Sequence, residues 1–248
     1  MPEKDLKKNE DTNKKEHSGK DDLDEMAFAL NLLPKKYGKN WIHEKKESVF
    51  YVIDIIFNGI IIFGLVIFIR YFLISPFQVS GQSMCNTLNF VNGVCLTQRD
   101  IGEYIIVDKL SYRFGETKRG DIIVFVPPMK GNEFYVKRII GLPGEKVQIK
   151  DGKVWLKKND ASSWEVLEEN YLNEKNQGRT FIDTPLSDYV FEVPKDEFFV
   201  LGDNRNGSSD SRHWRDQKSG APKPYVEGEQ IEGKVWLVLW PFNNMRIL

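Results

Sequence analysis

The sequence predicts a mainly β protein: an antiparallel β-sheet domain with a smaller inserted subdomain, preceded by one transmembrane α-helix and a disordered N-terminal tail. Three observations carry this expectation. Residues 1–48 are charged and poor in large apolar side chains, residues 49–74 form an almost unbroken apolar run, and short β-branched and aromatic runs separated by turn signals fill the rest. A chain of 248 residues has room for one sizeable domain with appendages. Its 35 Lys and Arg balance 36 Asp and Glu, so no basic excess points to a nucleic-acid partner. Charged residues at 29% exclude a multi-span membrane protein, while 41% apolar residues suffice for a core.

The tail holds 11 lysines and 11 acids over residues 1–48. Its first 22 residues cannot bury enough apolar surface to offset the entropy of ordering them, which predicts disorder. Leu23, Met26, Leu30 and Leu33 fall on one helical face, with Asp22 as a cap and Pro34 as a stop. That pattern fits a transient helix in a solvated tail or a docking helix for a membrane surface or partner.

From Val49 to Ile74 the chain is apolar apart from scattered residues such as Asp54, Asn58 and Arg70. As a helix this stretch reaches roughly 39 Å, enough to span a bilayer with some tilt. No small-x-small cleavage pattern follows at Ser75-Pro76-Phe77, so a permanent anchor is expected rather than a removed leader. Lys35, Lys36, Lys39, Lys45 and Lys46 precede the run, whereas Arg70 is the only basic residue beyond its centre until Arg99. The positive-inside rule then places the N-terminus in the cytoplasm and the residues after Ile74 outside it.

Beyond the anchor, strands are expected at Tyr104–Val107, Asp121–Val126, Phe134–Ile140, Lys146–Ile149, Val154–Leu156, Tyr189–Val193, Glu197–Leu201 and Lys234–Trp240. Turn signals such as Leu142-Pro143-Gly144, Asp151-Gly152 and Asn206-Gly207 separate them. Residues 75–156 and 189–248 are expected to build the β-rich core. Residues 157–188, more polar and less periodic, read as an insertion or small subdomain.

Several kinds of site are excluded. His17, His43 and His213 are scattered, no H-E-x-x-H helix exists, and no glycine-rich phosphate loop follows a strand. Two cysteines, Cys85 and Cys95, are too few for a disulfide scaffold or a four-thiolate metal site. They could pair outside the cytoplasm or serve as small apolar residues. Neither a cofactor nor a metal is expected.

Three stretches remain. Ser80-Gly81-Gln82-Ser83-Met84 begins shortly after the anchor; alone it reads as a turn. Within Tyr135–Glu145, strand alternation sends Lys137 to the face of Tyr135 and Ile139 and Arg138 to the other. Most strand lysines simply point to solvent. Gly202–Arg212 is a polar loop whose default reading is a solvated turn.

Taken together and in this order, these stretches resemble the type I (leader) signal peptidases, membrane-anchored serine proteases with a Ser-Lys dyad. Ser80–Leu88 reads S-G-Q-S-M-C-N-T-L against the family's S-G-x-S-M-x-P-T-L. Gly120–Phe125 is similar to its G-D-I-V-x-F box, Lys137–Glu145 to K-R-V-I-G-L-P-G-D, and Gly202–Arg212 to G-D-N-R-x-x-S-x-D-S-R. The resemblance covers about residues 49–248. It departs at Asn86, where the family has proline, and at Gly81, where some members carry a serine that donates to the oxyanion.

The resemblance implies an extracytoplasmic catalytic domain with Ser83 as nucleophile and a neutral, desolvated Lys137 as general base. Ser208 would orient the lysine through a hydrogen bond. Asp203 with Arg138, and Asp210 with Arg212, would be bracing ion pairs. Val79, Gly81, Met84, Leu88, Tyr135 and Val136 would line pockets for the small residues, typically alanine, at the first and third positions before the cut. The implied partners are preproteins bearing signal peptides, delivered by the export machinery, and membrane lipid, with no nucleic acid. A non-catalytic, membrane-tethered β-module presenting a binding surface is the alternative reading. A self-cleaving repressor shares the dyad, but residues 1–48 supply neither a DNA-binding domain nor a cleavage linker.

Overall fold

The computed structural model describes residues 37–129, 131, 133–159, 161–182, 189–216 and 218–248. The tail before residue 37, with the amphipathic stretch at Leu23–Leu33, lies outside them. Helix α1 (Tyr37–Phe68) continues as a π turn over Ile69–Leu73. It starts inside the charged stretch 1–48, expected to be largely disordered, and residues 37–48 of that stretch are helical. Its apolar stretch Val49–Leu73 is long enough to cross a membrane and is unburied within the protein. An exposed helical stretch so rich in Ile, Phe, Val and Leu needs an apolar surround.

The remaining chain is β-rich. The large antiparallel sheet runs β1 (Ile74–Gln78), β4 (Tyr104–Asp108), β13 (Ile231–Trp240), β5 (Ile122–Phe125), β6 (Tyr135–Gly141), β11 (Glu197–Leu201) and β12 (Tyr225–Glu227), with β14 (Arg246–Ile247) pairing on β13. A second sheet orders β10 (Val190–Glu192), β7 (Lys146–Lys150), β8 (Lys153–Lys157) and β9 (Glu165–Val166). A short hairpin joins β2 (Phe90–Val91) to β3 (Val94–Cys95), and a one-and-a-half-turn helix α2 (Lys109–Phe114) follows β4. Strand β1 was missed from sequence because Pro76 argues against a strand. It is tolerated because β1 lies at the sheet edge, where a missing N–H breaks no second ladder.

Every side chain of β5 is buried, on both faces. Ile122 and Val124 join a core with Val79, Met84, Leu88 and Ile105, while Ile123 and Phe125 join another with Ile139, Val200 and Trp214. A strand covered on both sides reads as a continuous apolar run, as Ile-Ile-Val-Phe does. A third core lies between the two sheets, where Ile140, Phe199 and Leu201 meet Val147, Leu156 and Phe191. Leu167, Tyr171 and Ile182 pack into this same core. These three side chains of the stretch 157–188 therefore share the hydrophobic interior of the β-domain, and the smaller sheet also draws on β7, β8 and β10.

Candidate active site

Strand β1 leads into a turn that carries Ser83, closed by the Cys85 amide donating to Gln82 O at 3.0 Å. The following residues bury Met84 and Leu88 in the core, which fixes the turn from below. Asn86 sits at φ +81°, a left-handed conformation that a proline ring, held near −65°, cannot adopt. The departure from the family's proline is thus matched by a different local backbone.

Lys137 lies on β6, between β5 and β11, with Ile123 opposite on β5. Its side chain is 3% exposed. Nζ is 2.9 Å from Ser83 Oγ and donates to Val136 O at 2.8 Å. Burial disfavours the ammonium and lowers the lysine pKa from 10.5 to about 8, against the opposing pull of the Asp210 and Asp203 carboxylates. At pH 7 a group with that pKa is roughly 10% neutral, against well under 0.1% for a free lysine.

The loop after β11 holds Ser83 from the other side. The Asn204 amide donates to Ser83 O at 3.0 Å, and its side-chain Nδ2 donates to Gln82 O at 3.1 Å. Glycine is required at 202, because a Cβ there would lie 2.5 Å from Ser83 O and 2.1 Å from Ser208 Oγ. Arg212 grips Asp210 through Nε and Nη2, both at 2.8 Å, and Asp210 in turn accepts from the Gly202 amide at 3.0 Å. Burial pushes the Asp210 carboxyl up, but Arg212, with smaller help from the Gly202 amide, outweighs it and holds the pKa below the usual carboxylate value. Arg138, on the face of β6 away from Lys137, pairs with Asp203 at 2.9 and 2.6 Å. Thr87 Oγ1 donates to the same carboxylate at 2.5 Å, tying the turn that carries Ser83 to the frame.

Ser208 corrects an expectation. Its Oγ is buried beside Asp210 and makes no well-formed hydrogen bond, and the expected contact that would orient Lys137 is absent from the bonds of Nζ. Two supports have no signal in the sequence: Glu169, which pairs with buried Arg205, and Tyr171, whose ring lies 4.0 Å from the Arg138 guanidinium carbon. Asn204 and Arg205 could have been found, since both occupy fixed positions of the matched loop.

A groove of about 980 Å³ opens onto Ser83 and Lys137. Val79, Gly81, Tyr135 and Val136 line it, together with Ile105 and Val124, which sequence reasoning passed over. Met84 and Leu88, expected in the pockets, stand behind them in the core and are almost fully buried. Hydrophobicity alone gave no way to tell a wall from the layer behind it.

A family model for signal peptidase, peptidase S26, matches residues 52–240 of this chain, a stretch that holds every strand up to β13. The chain belongs to that signal peptidase family. It is similar to a signal peptidase I of Bacillus licheniformis, 33% identical over 204 residues, covering 82% of this chain and 94% of that protein. A signal peptidase I P of Bacillus subtilis subsp. natto is 33% identical over 210 residues, 84% of this chain and 97% of its relative. A signal peptidase I of Leptolyngbya laminosa is 35% identical over 187 residues, 71% and 74% of the two chains. Family membership makes the protein a serine endopeptidase of the hydrolase class, which removes signal peptides from exported preproteins at a membrane. It also sets aside the reading as a non-catalytic β-module. Among the described residues one stretch, Val49–Leu73, is long and apolar enough to cross a membrane, which fits a single-pass anchor.

Proposed function

We propose that Ser83 and Lys137 form the catalytic dyad and that the chain cleaves after a small-x-small motif. The observation that carries this reading is a lysine amine, buried and 2.9 Å from a serine hydroxyl at the groove. Neutral Lys137 takes the Ser83 proton as Oγ attacks the scissile carbonyl carbon. The resulting ammonium then protonates the departing amine, leaving an ester to Ser83. Water, deprotonated by the same amine, hydrolyses that ester and returns both groups to their starting state. Gly81 carries no hydroxyl, so the oxyanion relies on main-chain donors, with the Ser83 amide foremost. Asp203, Asp210, Arg138 and Arg212 are buried supports that aim the loop and β6 and do not touch the reacting atoms.

Specificity follows from shallow walls. Ile105, Val124 and Val136 present apolar surface on strands and Val79 does so just past the end of β1, so a large side chain clashes where alanine fits. The groove runs along the edge of the segment 77–83 on one side and 133–137 on the other, which suits an extended peptide bound by main-chain bonds.

Orientation draws support from a disulfide. Cys85 and Cys95 are bonded, and structural disulfides persist in oxidising surroundings. Together with the lysines before Val49, this supports a cytoplasmic N-terminus and an extracytoplasmic β-domain, where preproteins handed over by the export machinery arrive tethered to the same bilayer.

The test is cleavage of a purified Ala-x-Ala reporter peptide by the full chain in detergent. Cleavage after the second alanine is expected, and phenylalanine at the first or third position before the cut should lower kcat/KM by roughly 10²-fold or more. Equal cleavage of the alanine and phenylalanine peptides would contradict the proposed pockets.

A further inference from the structure

Resting on the reading of the groove as a peptide site, we infer that the Cys85–Cys95 disulfide is a positioning element of that groove, holding the wall Thr97–Arg99 against the nucleophile's turn. Thr97, Gln98 and Arg99 line the groove opposite the β6 side and immediately follow the hairpin β2–β3. Those strands have two residues each and turn through Asn92 and Gly93, both at positive φ. A two-residue ladder closed by an Asn-Gly turn is too short to be rigid in water.

The trailing end of the wall is fixed at Glu103, whose O accepts from the Val79 amide at 2.9 Å and whose carboxylate accepts from the Asn89 amide at 2.7 Å, so what the disulfide governs is the leading end. The Thr97 amide and Oγ1 donate to Asp100 Oδ2 at 2.7 and 2.8 Å, bonds that shape the loop from within without fixing it to the domain. Residues 97–100 are exposed. At the leading end, one backbone bond, Leu96 N to Asn89 O at 2.8 Å, and the disulfide, with Cα atoms 5.7 Å apart, join the hairpin to the segment that carries Ser83, while Asn244 Nδ2 donates to Phe90 O at 3.2 Å from the other side of the hairpin.

The attachment brackets the nucleophile. Two residues before Ser83, Gly81 faces Gln98, whose Cγ would lie 3.5 Å from a Cβ at that position. Two residues after Ser83, Cys85 is bonded to Cys95, itself two residues before Thr97. The Ser83–Lys137 pair has its own supports in β6 and in the Asn204 bonds to Ser83 and Gln82, none of which passes through the hairpin. Opening the disulfide therefore loosens the leading end of the wall, which stays tethered at Glu103, while leaving the dyad in place. The effect belongs on substrate binding.

The experiment compares the full chain in detergent, oxidised and after treatment with excess dithiothreitol, using the Ala-x-Ala reporter. Reduction adds two electrons and two protons to the Cys85–Cys95 bond, giving two thiols, as the dithiol closes to its cyclic disulfide. Alkylation of both thiols, read by mass, verifies the reduced state. KM is expected to rise about tenfold with kcat held within about twofold, and reoxidation should reverse the change. The double variant Cys85→Ala/Cys95→Ala should show the raised KM and no response to dithiol. An unchanged KM on reduction would overturn the inference, as would a fall in kcat that tracks a lowered Tm at constant KM. If the oxidised wild type cleaves nothing, the proposed function itself fails, which is a different outcome from cleavage that ignores the disulfide.

Discussion

Ser83→Ala and Lys137→Arg are each expected to reduce kcat by roughly 10⁴-fold, because each removes a group whose partner cannot act without it. Alanine leaves no nucleophile. Arginine stays protonated at any usable pH and cannot accept the Ser83 proton, although it keeps charge and length. The double variant should be no worse than either single one, since the two residues act as one unit. Burst kinetics with an ester reporter separate loss of acylation from slow product release. Retention of more than about one-tenth of wild-type kcat by Lys137→Arg would mean that the base lies elsewhere.

The largest structural effect belongs to Asp210. Its carboxylate is fully buried and the Arg212 side chain is 2% exposed, so neither charge has water to turn to. Asp210→Ala strands the guanidinium and is expected to cost about 3–5 kcal/mol, a fall in Tm of roughly 6–20 °C. Replacing both partners with apolar residues, Asp210→Leu with Arg212→Met, should recover much of that loss. Because Asp210 has a depressed pKa, its contribution is present above the unfolded carboxylate pKa and is lost as pH falls through the lower folded value. The gap in Tm between wild type and Asp210→Ala should therefore narrow in acid. Differential scanning calorimetry across pH 3–7 measures it, and a gap that widens in acid would contradict the pairing.

The strands were legible where local pattern decides them. Ile122–Phe125 is a continuous apolar run that belongs to a centre strand, and Lys146–Lys150 with Lys153–Lys157 meets at an Asp-Gly turn. Strand β1 was hidden by Pro76, and the start of β13 at Ile231 was missed because Gly233 interrupts its pattern. The meeting of Ser83 with Lys137 was legible because each sits in a short ordered motif, although 54 residues separate them. What pattern could not reveal is depth. Met84 and Leu88 are as apolar as Val79, yet they pack behind the groove, and only the way the turn after β1 folds onto the sheet decides which side chain faces open space. The Tyr171–Arg138 contact and the Glu169–Arg205 pair were equally hidden, since both come from the polar stretch 157–188, which has no periodicity to read. Asn89 shows the same limit. Its side chain donates to Val79 O and Gly81 O while the buried Glu103 carboxylate receives its amide at 2.7 Å, a clamp on the nucleophile strand with no local signature.

The central claim is that Lys137 works as a neutral amine, and the pH dependence of kcat/KM tests it most directly. Burial lowers the lysine pKa to about 8, so the fraction of active base rises as protons are removed. For the Ala-x-Ala peptide, log kcat/KM should climb with unit slope from about pH 6 and level off near pH 8, the free-enzyme pKa of the amine. A profile that is flat between pH 6 and 10, or that levels off only above pH 10 as an exposed lysine would, contradicts the account.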